Sequence, residues 1–227
     1  MNDWQKAFAD PDHVARYAEG PPRFVPGFHD THKMTAILLA ERAPADANVL
    51  VLGAGGGLEL RALAEAEPGW RFCGVDPAGE MLRLAARTLG PHAGRAELIE
   101  GYIEDAPPGP YDAATCLLTL HFLATEDRLR TLREIRARLK PGAPFVAVHS
   151  SFPQEGAARR TGLARYAAFA VRSGADPAQA EAMQEAVAAS LTLLDPAADE
   201  ALMAEAGFTG IETFYAAFTW RGWVACA

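Results

Sequence analysis

What this 227-residue sequence has little of narrows its role first. It holds three cysteines, Cys73, Cys116 and Cys226, widely spaced and odd in number. That argues against a disulfide framework or a cysteine-built metal centre. Two of the three sit inside the apolar runs "RFCGV" and "ATCLLTL", as buried thiols of a reducing compartment do, and no metal is expected. No apolar stretch approaches the ~18 residues of a membrane span. The start "MNDWQKAFADPDHV" has neither a basic region nor an apolar signal core, so a cytoplasmic protein with no membrane partner is expected. Positive charge is also in short supply: 21 Lys and Arg against 29 Asp and Glu give a net charge of −8, so no long-range field draws the whole chain to nucleic acid.

What is present is the material of one large core. Half the residues are hydrophobic and 22% are charged, which suits a single globular domain over 1–227. Strand-like runs "NVLVLG" (48–53), "RFCGVD" (71–76), "AELIEG" (96–101), "DAATCLLT" (112–119) and "PFVAVHS" (144–150) alternate with the helical patterns "LELRALAEAE", "PAGEMLRLAARTL" and "TEDRLRTLREIRARLK". The last places Leu129, Leu132, Ile135 and Leu139 on one face, begins with acids and stops at Pro141-Gly142. Alternation of this kind predicts an α/β fold with a doubly wound, mostly parallel sheet.

Two segments interrupt the alternation. Residues 1–43 are expected to form a helical N-terminal cover joined by the rigid loop "GPPRFVPGF". Residues 155–194 are expected to be an inserted cover of two Ala-rich helices, the second starting at Asp176-Pro177. The end reads as a helix closed by Gly207 and then two aromatic-rich strands, an antiparallel hairpin at the sheet edge.

Four glycines crowd into five positions of "LVLGAGGGLEL" (50–60), where the first strand gives way to the first helix. Glycine loses more conformational entropy on folding than other residues, so the cluster needs a geometric cause: a tight turn, or close approach by a ligand. Open parallel sheets bind ligands beyond the carboxyl ends of their strands, which favours the ligand. The spacing Gly53-x-Gly55-x-Gly57 has Leu58 where a dinucleotide loop would want its third glycine, and it lacks the Gly-Lys-Ser/Thr ending of a triphosphate loop. Asp76, 23 residues after Gly53 at the end of the second strand, is placed to accept hydrogen bonds from a ribose diol, with capping of the next helix as the structural alternative. Met81 falls where an adenine would lie.

"VLVLGAGGG", "GVDPAGEML", "LIEGYIEDAP", "YDAATCLLTLHFL", "LREIRARLKPGAPFVAV" and "EAGF", in this order from about residue 45, resemble the class I S-adenosylmethionine-dependent methyltransferases. The resemblance implies a Rossmann-like, seven-stranded sheet and S-adenosylmethionine as cofactor. "RFVPGF" before a helix expected at residues 30–42, "LLTLHFL" and the ending "FYAAFTWRGWVA" are similar to the carboxy-S-adenosylmethionine synthase branch. Carried over by position, the cofactor contacts fall on Phe28, Gly53, Ala54, Gly55, Asp76, Pro77, Tyr102, Ile103 and Leu117, with Met81 beside the adenine. Four positions depart from the family pattern: Val51 and Tyr102 stand where acids are usual, Phe28 where the branch has a tyrosine, and Leu117 where an asparagine is expected. The arginine by which the carboxylating branch holds its extra carboxylate falls on Glu181, which implies plain S-adenosylmethionine.

The resemblance implies methyl transfer to an unidentified acceptor, a small molecule first. A non-catalytic cofactor-binding protein and a tRNA-modifying relative of the carboxylating branch are the alternatives, and a homodimer is left open. "TLHF" stands where an amino-directed DNA methyltransferase carries Asn/Asp-Pro-Pro-Tyr, which argues against DNA. No catalytic residue is assigned; Tyr17, His29, His32 and His121 are the candidates should the acceptor need a base. His29 and His32 in "FHDTHK" read as a helix start rather than metal ligands. Arg128, Arg130, Arg133, Arg136 and Arg138 read as a solvated helix face. Arg159, Arg160, Arg165 and Arg172 of the insertion read as solvated, or as facing an anionic substrate or a second subunit.

Overall fold

The computed structural model describes Phe8, Asp10, Pro11, Val14 and residues 16–227; much of what was expected of the first fifteen residues lies outside these. The N-terminal segment carries α1 (Gly20–Phe24) and α2 (Phe28–Ala40). The alternating body follows as β1 (Asn48–Leu52), α3 (Leu58–Ala66), β2 (Arg71–Asp76), α4 (Gly79–Leu89), β3 (Ala96–Glu100), β4 (Ala113–Leu117), α5 (Thr125–Ala137) and β5 (Pro144–Ser150). The insertion is α6 (Gly156–Arg172) and α7 (Pro177–Ser190), and α8 (Pro196–Glu205), β6 (Thr209–Ala217) and β7 (Trp220–Cys226) close the chain.

One sheet holds all seven strands in the order β3-β2-β1-β4-β5-β7-β6. β1 to β5 pair in parallel, and β7 runs antiparallel to both β5 and β6. The central strands have both faces covered, which is why they are continuously apolar rather than alternating. Leu50 and Leu52 of β1 face the core under α5 and α8, with Leu132, Ile135 and Met203. Val49 and Val51 face the core under α2, α3 and α4, with Leu39, Leu60, Leu63 and Leu82. A third cluster, built on Val25, Phe28, Phe152, Leu163, Tyr166 and Trp220, fastens the insertion to the N-terminal segment. Tyr215 Oη donates to Pro26 O at 2.6 Å and Trp220 Nε1 to Phe24 O at 2.9 Å, so the terminal hairpin anchors that segment as well.

Three expectations need correction. The "GPPRFVPGF" stretch is not all loop: Gly20–Phe24 is helical, because prolines in a first turn forgo only amide donors that have no intrahelical partner there. The following helix starts at Phe28 rather than residue 30, since Gly27 takes a left-handed conformation (φ 65°) as its N-cap. Arg128 does not belong to a solvated face; it is fully buried. Its guanidinium meets Asp199 of α8 at 2.5 Å, Leu120 O at 3.0 Å and Thr192 O at 2.5 Å, joining the turn after β4 to the segment that returns from the insertion. A buried arginine persists where several acceptors replace its water.

Candidate functional site

Four connections leave the carboxyl ends of β1, β2, β3 and β4 and converge where the strand order reverses between β1 and β4, the usual ligand position in such a sheet. With Phe8, Tyr17, Phe28 and His32 from the N-terminal side they enclose a cavity of about 1160 Å³. That exceeds the roughly 300–1,000 Å³ of a typical ligand pocket. All nine positions carried over to the cofactor, and Met81 with them, line this one cavity.

The glycine turn has two separate causes. Gly53, Gly55 and Gly57 have φ of 77°, 49° and 79°, which glycine alone adopts without strain. A Cβ on Gly53 would lie 1.9 Å from Thr119 Oγ1, one on Gly56 2.8 Å from Tyr17 Cδ1, and one on Gly57 2.7 Å from Ala85 Cα. The protein's own packing therefore accounts for those three. Only Gly55 has room, with Tyr17 Oη at 3.5 Å and Met81 Cε at 3.6 Å from the added carbon. Gly53 N and Ala54 N both donate to Val75 O, at 2.8 and 3.0 Å, which holds the turn against β2.

Asp76 fastens this turn from below. Its Oδ2 accepts from Gly55 N at 2.9 Å and its Oδ1 from Ala78 N at 2.9 Å. Burial raises its pKa while the two amides lower it. The capping alternative is not realised, since the N-cap of α4 is Ala78 and no side chain caps it; Asp76 braces the turn before the helix instead, and each carboxylate oxygen keeps a further lone pair. Leu118 leaves β4 with φ 56°, a left-handed bend that a leucine adopts only under constraint from its surroundings.

The departures from the family pattern are apolar in place as well as in type. Val51 is fully buried under α2 and α3, Leu117 is buried, and Phe28 meets His32 edge to face at 4.6 Å. Tyr102 is half exposed at the rim. Of the base candidates, Tyr17 and His32 line the cavity, His29 is exposed, and His121 does not reach the cavity. His121 is buried instead against Trp220 and accepts from Ser150 N at 3.2 Å. Burial pulls the His32 pKa down to about 4 and pushes Tyr17 well up, the latter helped by Asp76 and Glu59.

The inserted arginines do not face the cavity. Arg159 binds Gln154 and Ala188 O, and Arg165 and Arg172 line a small surface groove with Phe218. Glu181 is exposed on α7 and does not line the cavity, so the like-charge contact expected of it has no geometry here. Sequence reasoning passed over Glu59, a buried acid of the cavity wall whose only written signal is a carboxylate between two core leucines in "GLEL". Among the described residues no group of three or more His, Cys, Asp or Glu is arranged to hold a metal, and no helix is long and apolar enough to cross a membrane.

Residues 50–145, the stretch from within β1 to the start of β5, match a methyltransferase domain family. That stretch, less than half of the chain, is similar to methyltransferase domains and holds most of the turns that build the cavity. Among curated proteins it is similar to the carboxy-S-adenosyl-L-methionine synthase of Chromohalobacter salexigens, 26% identical over 93% of this chain and 80% of that protein. Solved structures share the fold of the methyltransferase domain. An O-methyltransferase family protein from Burkholderia thailandensis superposes with a TM-score of 0.70 at 14% identity, covering 97% of this chain and 61% of that one. Human N-acetylserotonin methyltransferase, solved in complex with its cofactor, gives 0.64 at 14% identity over 98% of this chain and 58% of that one.

Proposed function

We propose that the chain transfers a methyl group from S-adenosylmethionine to a small-molecule acceptor. One observation carries this reading: Asp76 binds Gly55 N directly, so the acid for the ribose and the one glycine with open space belong to a single braced cradle at the switch point. The residues present fit the cofactor. Asp76 retains acceptor capacity for the ribose hydroxyls, Gly55 admits close approach, and Met81, Ile103 and Tyr102 wall the side where the adenine would rest. When bound, the cofactor supplies an already activated methyl group, so the protein's task is alignment and exclusion of water.

The chain's own residues are suited to that task. Phe8 stacks edge-on against Tyr17 (6.2 Å) and Phe122 (5.9 Å), an aromatic roof over the glycine turn and the segment after β4. His32, with its pKa near 4, stays neutral at pH 7 and offers an imidazole to an acceptor hydroxyl as a hydrogen-bond partner rather than as a strong base. The acceptor must therefore bring much of its own nucleophilicity. A cavity of this volume has room for such a molecule beside the cofactor.

The curated relative supports a second reading, use of a carboxylated cofactor. Such a cofactor needs a cation for its extra carboxylate. Among the described residues the two arginines of the cavity wall are engaged, Arg83 by Glu80 and Arg130 by Asp127 and Glu104, which favours plain S-adenosylmethionine. Net charge −8 likewise favours a small acceptor over tRNA. The test is mass spectrometry of reactions with S-adenosylmethionine and a panel of phenols, carboxylates and amines. Stoichiometric S-adenosylhomocysteine and methylated product support the proposal, whereas a carboxylated cofactor as the main species overturns it.

A further inference from the structure

Glu59 stands in the first turn of α3, two residues beyond the glycine turn, and is only 7% exposed. It lines the cavity, yet its Oε1 is buried with no hydrogen-bond partner among the described residues. Among the described residues the groups that face it bring no positive charge: Tyr17 from the N-terminal segment, and Thr115 and Cys116 from β4. Thr115 lies close enough to lower the Glu59 pKa, but its own Oγ1 completes no hydrogen bond among the described residues. His32 of α2, on the same cavity, is neutral, and Arg83 of α4 is engaged by Glu80. Burial pushes the Glu59 carboxyl up to about 8.

A carboxyl held in this way costs stability, because it must either lose its charge or keep an unsolvated one. Asp76, the other acid at the glycine turn, already has two amide partners. Val51, at the end of β1 and in register with Thr115, contributes only a methyl surface to the core. Of the acids that line the cavity, Glu59 is thus the buried one at the glycine turn whose Oε1 has no partner among the described residues, where a ligand's cation would find one.

We infer that Glu59 receives the ammonium group of the cofactor's amino-acid end. This rests on the reading of the cavity as the S-adenosylmethionine site. The ligand-free protein holds Glu59 as the neutral acid; binding of the ammonium ionises it, the proton leaves to solvent, and carboxylate and ammonium pair without a covalent step. The consequence is a pH-linked affinity. Between pH 6 and 7, Kd for S-adenosylhomocysteine falls by up to about tenfold per pH unit, the slope of one released proton.

The decisive experiment is calorimetric titration of S-adenosylhomocysteine and of 5′-methylthioadenosine, which lacks the amino-acid end, in buffers of different ionisation enthalpy. Expected for the wild type is release of close to one proton with the former and none with the latter. In Glu59→Gln the release disappears and S-adenosylhomocysteine binds at least tenfold more weakly, while methylthioadenosine keeps its affinity. The ligand-free variant should melt at or above the wild-type temperature at pH 8. The sign follows from burial: an acid whose folded pKa lies above its unfolded value loses stability as pH rises between the two, and glutamine removes that loss. Should Glu59→Gln fail to fold, the wild-type proton count decides alone. Several results overturn the inference: no proton release from the wild type, equal weakening of both ligands, or weakening for S-adenosylmethionine but not S-adenosylhomocysteine, which would move the contact to the sulfonium. If neither ligand binds the wild type, the cofactor reading itself fails, and with it this inference.

Discussion

Replacing Asp76 by alanine tests the cradle as a mechanical and a chemical object at once. The carboxylate accepts from Gly55 N and Ala78 N, each at 2.9 Å. Hydrogen bonds to a charged group are each worth about 1.5–3 kcal/mol, but the cavity lets water reach part of this site, so the lower end applies and the expected loss is about 2–3 kcal/mol. For a domain of this size that is a fall in Tm of roughly 4–12 °C. The affinity for S-adenosylhomocysteine should drop by at least about tenfold, since the ribose loses its acceptor and Gly55 loses its brace. Asp76→Asn separates the two effects: it keeps the shape and one acceptor but turns an NH2 toward a backbone amide, so it should stay folded and still bind weakly. Differential scanning fluorimetry without ligand and calorimetry with it provide the readouts. An alanine variant that melts with the wild type and binds unchanged would refute both the brace and the ribose assignment.

The other predictions use neighbouring parts of the same structure. Gly53→Ala places a carbon 1.9 Å from Thr119 Oγ1 at a positive φ and should cost about 2–5 kcal/mol, part of it recovered by Thr119→Gly. Gly55→Ala meets no such overlap, so urea denaturation should show a loss of only about 1–2 kcal/mol, with any larger fall in cofactor affinity reporting the ligand itself. Asp199→Ala strands the buried Arg128 guanidinium and should destabilise by about 3–5 kcal/mol in equilibrium denaturation. The Asp199 pKa is lowered by His149 and Arg128 despite its burial. Its folded value thus lies below the unfolded one, and the stability it contributes is present above about pH 4 and lost as pH falls through the folded pKa. The difference between variant and wild type should therefore shrink in acid.

The strands of the sheet were legible because each is a short apolar run with turn residues at both ends; β2 and β5 fall on the very residues expected, 71–76 and 144–150. The hairpin, the Asp176 cap and the helical insertion were legible for the same local reasons, the cap accepting from Ala178 N and Gln179 N. Arg128 and Glu59 were not, since a charged side chain in an amphipathic helix reads as solvated unless its distant partners are known, and those of Arg128 lie 64 and 71 residues away. The glycines were half legible. Their spacing marked the turn, but only the folded chain shows that Thr119, Tyr17 and Ala85 crowd three of them and leave Gly55 to the cavity. Glu181 was not legible either: it lies in an inserted helix, where a shift of one position in the match separates the site from the exposed face of α7.

Native mass spectrometry of the purified chain with S-adenosylmethionine, beside Asp76→Ala, asks whether the cavity is a cofactor site built on Asp76. Expected are a one-to-one complex with the uncarboxylated cofactor in the wild type and its marked loss in the variant. A wild type that binds no cofactor, a variant that binds as well as the wild type, or a carboxylated cofactor as the major bound species would contradict that reading.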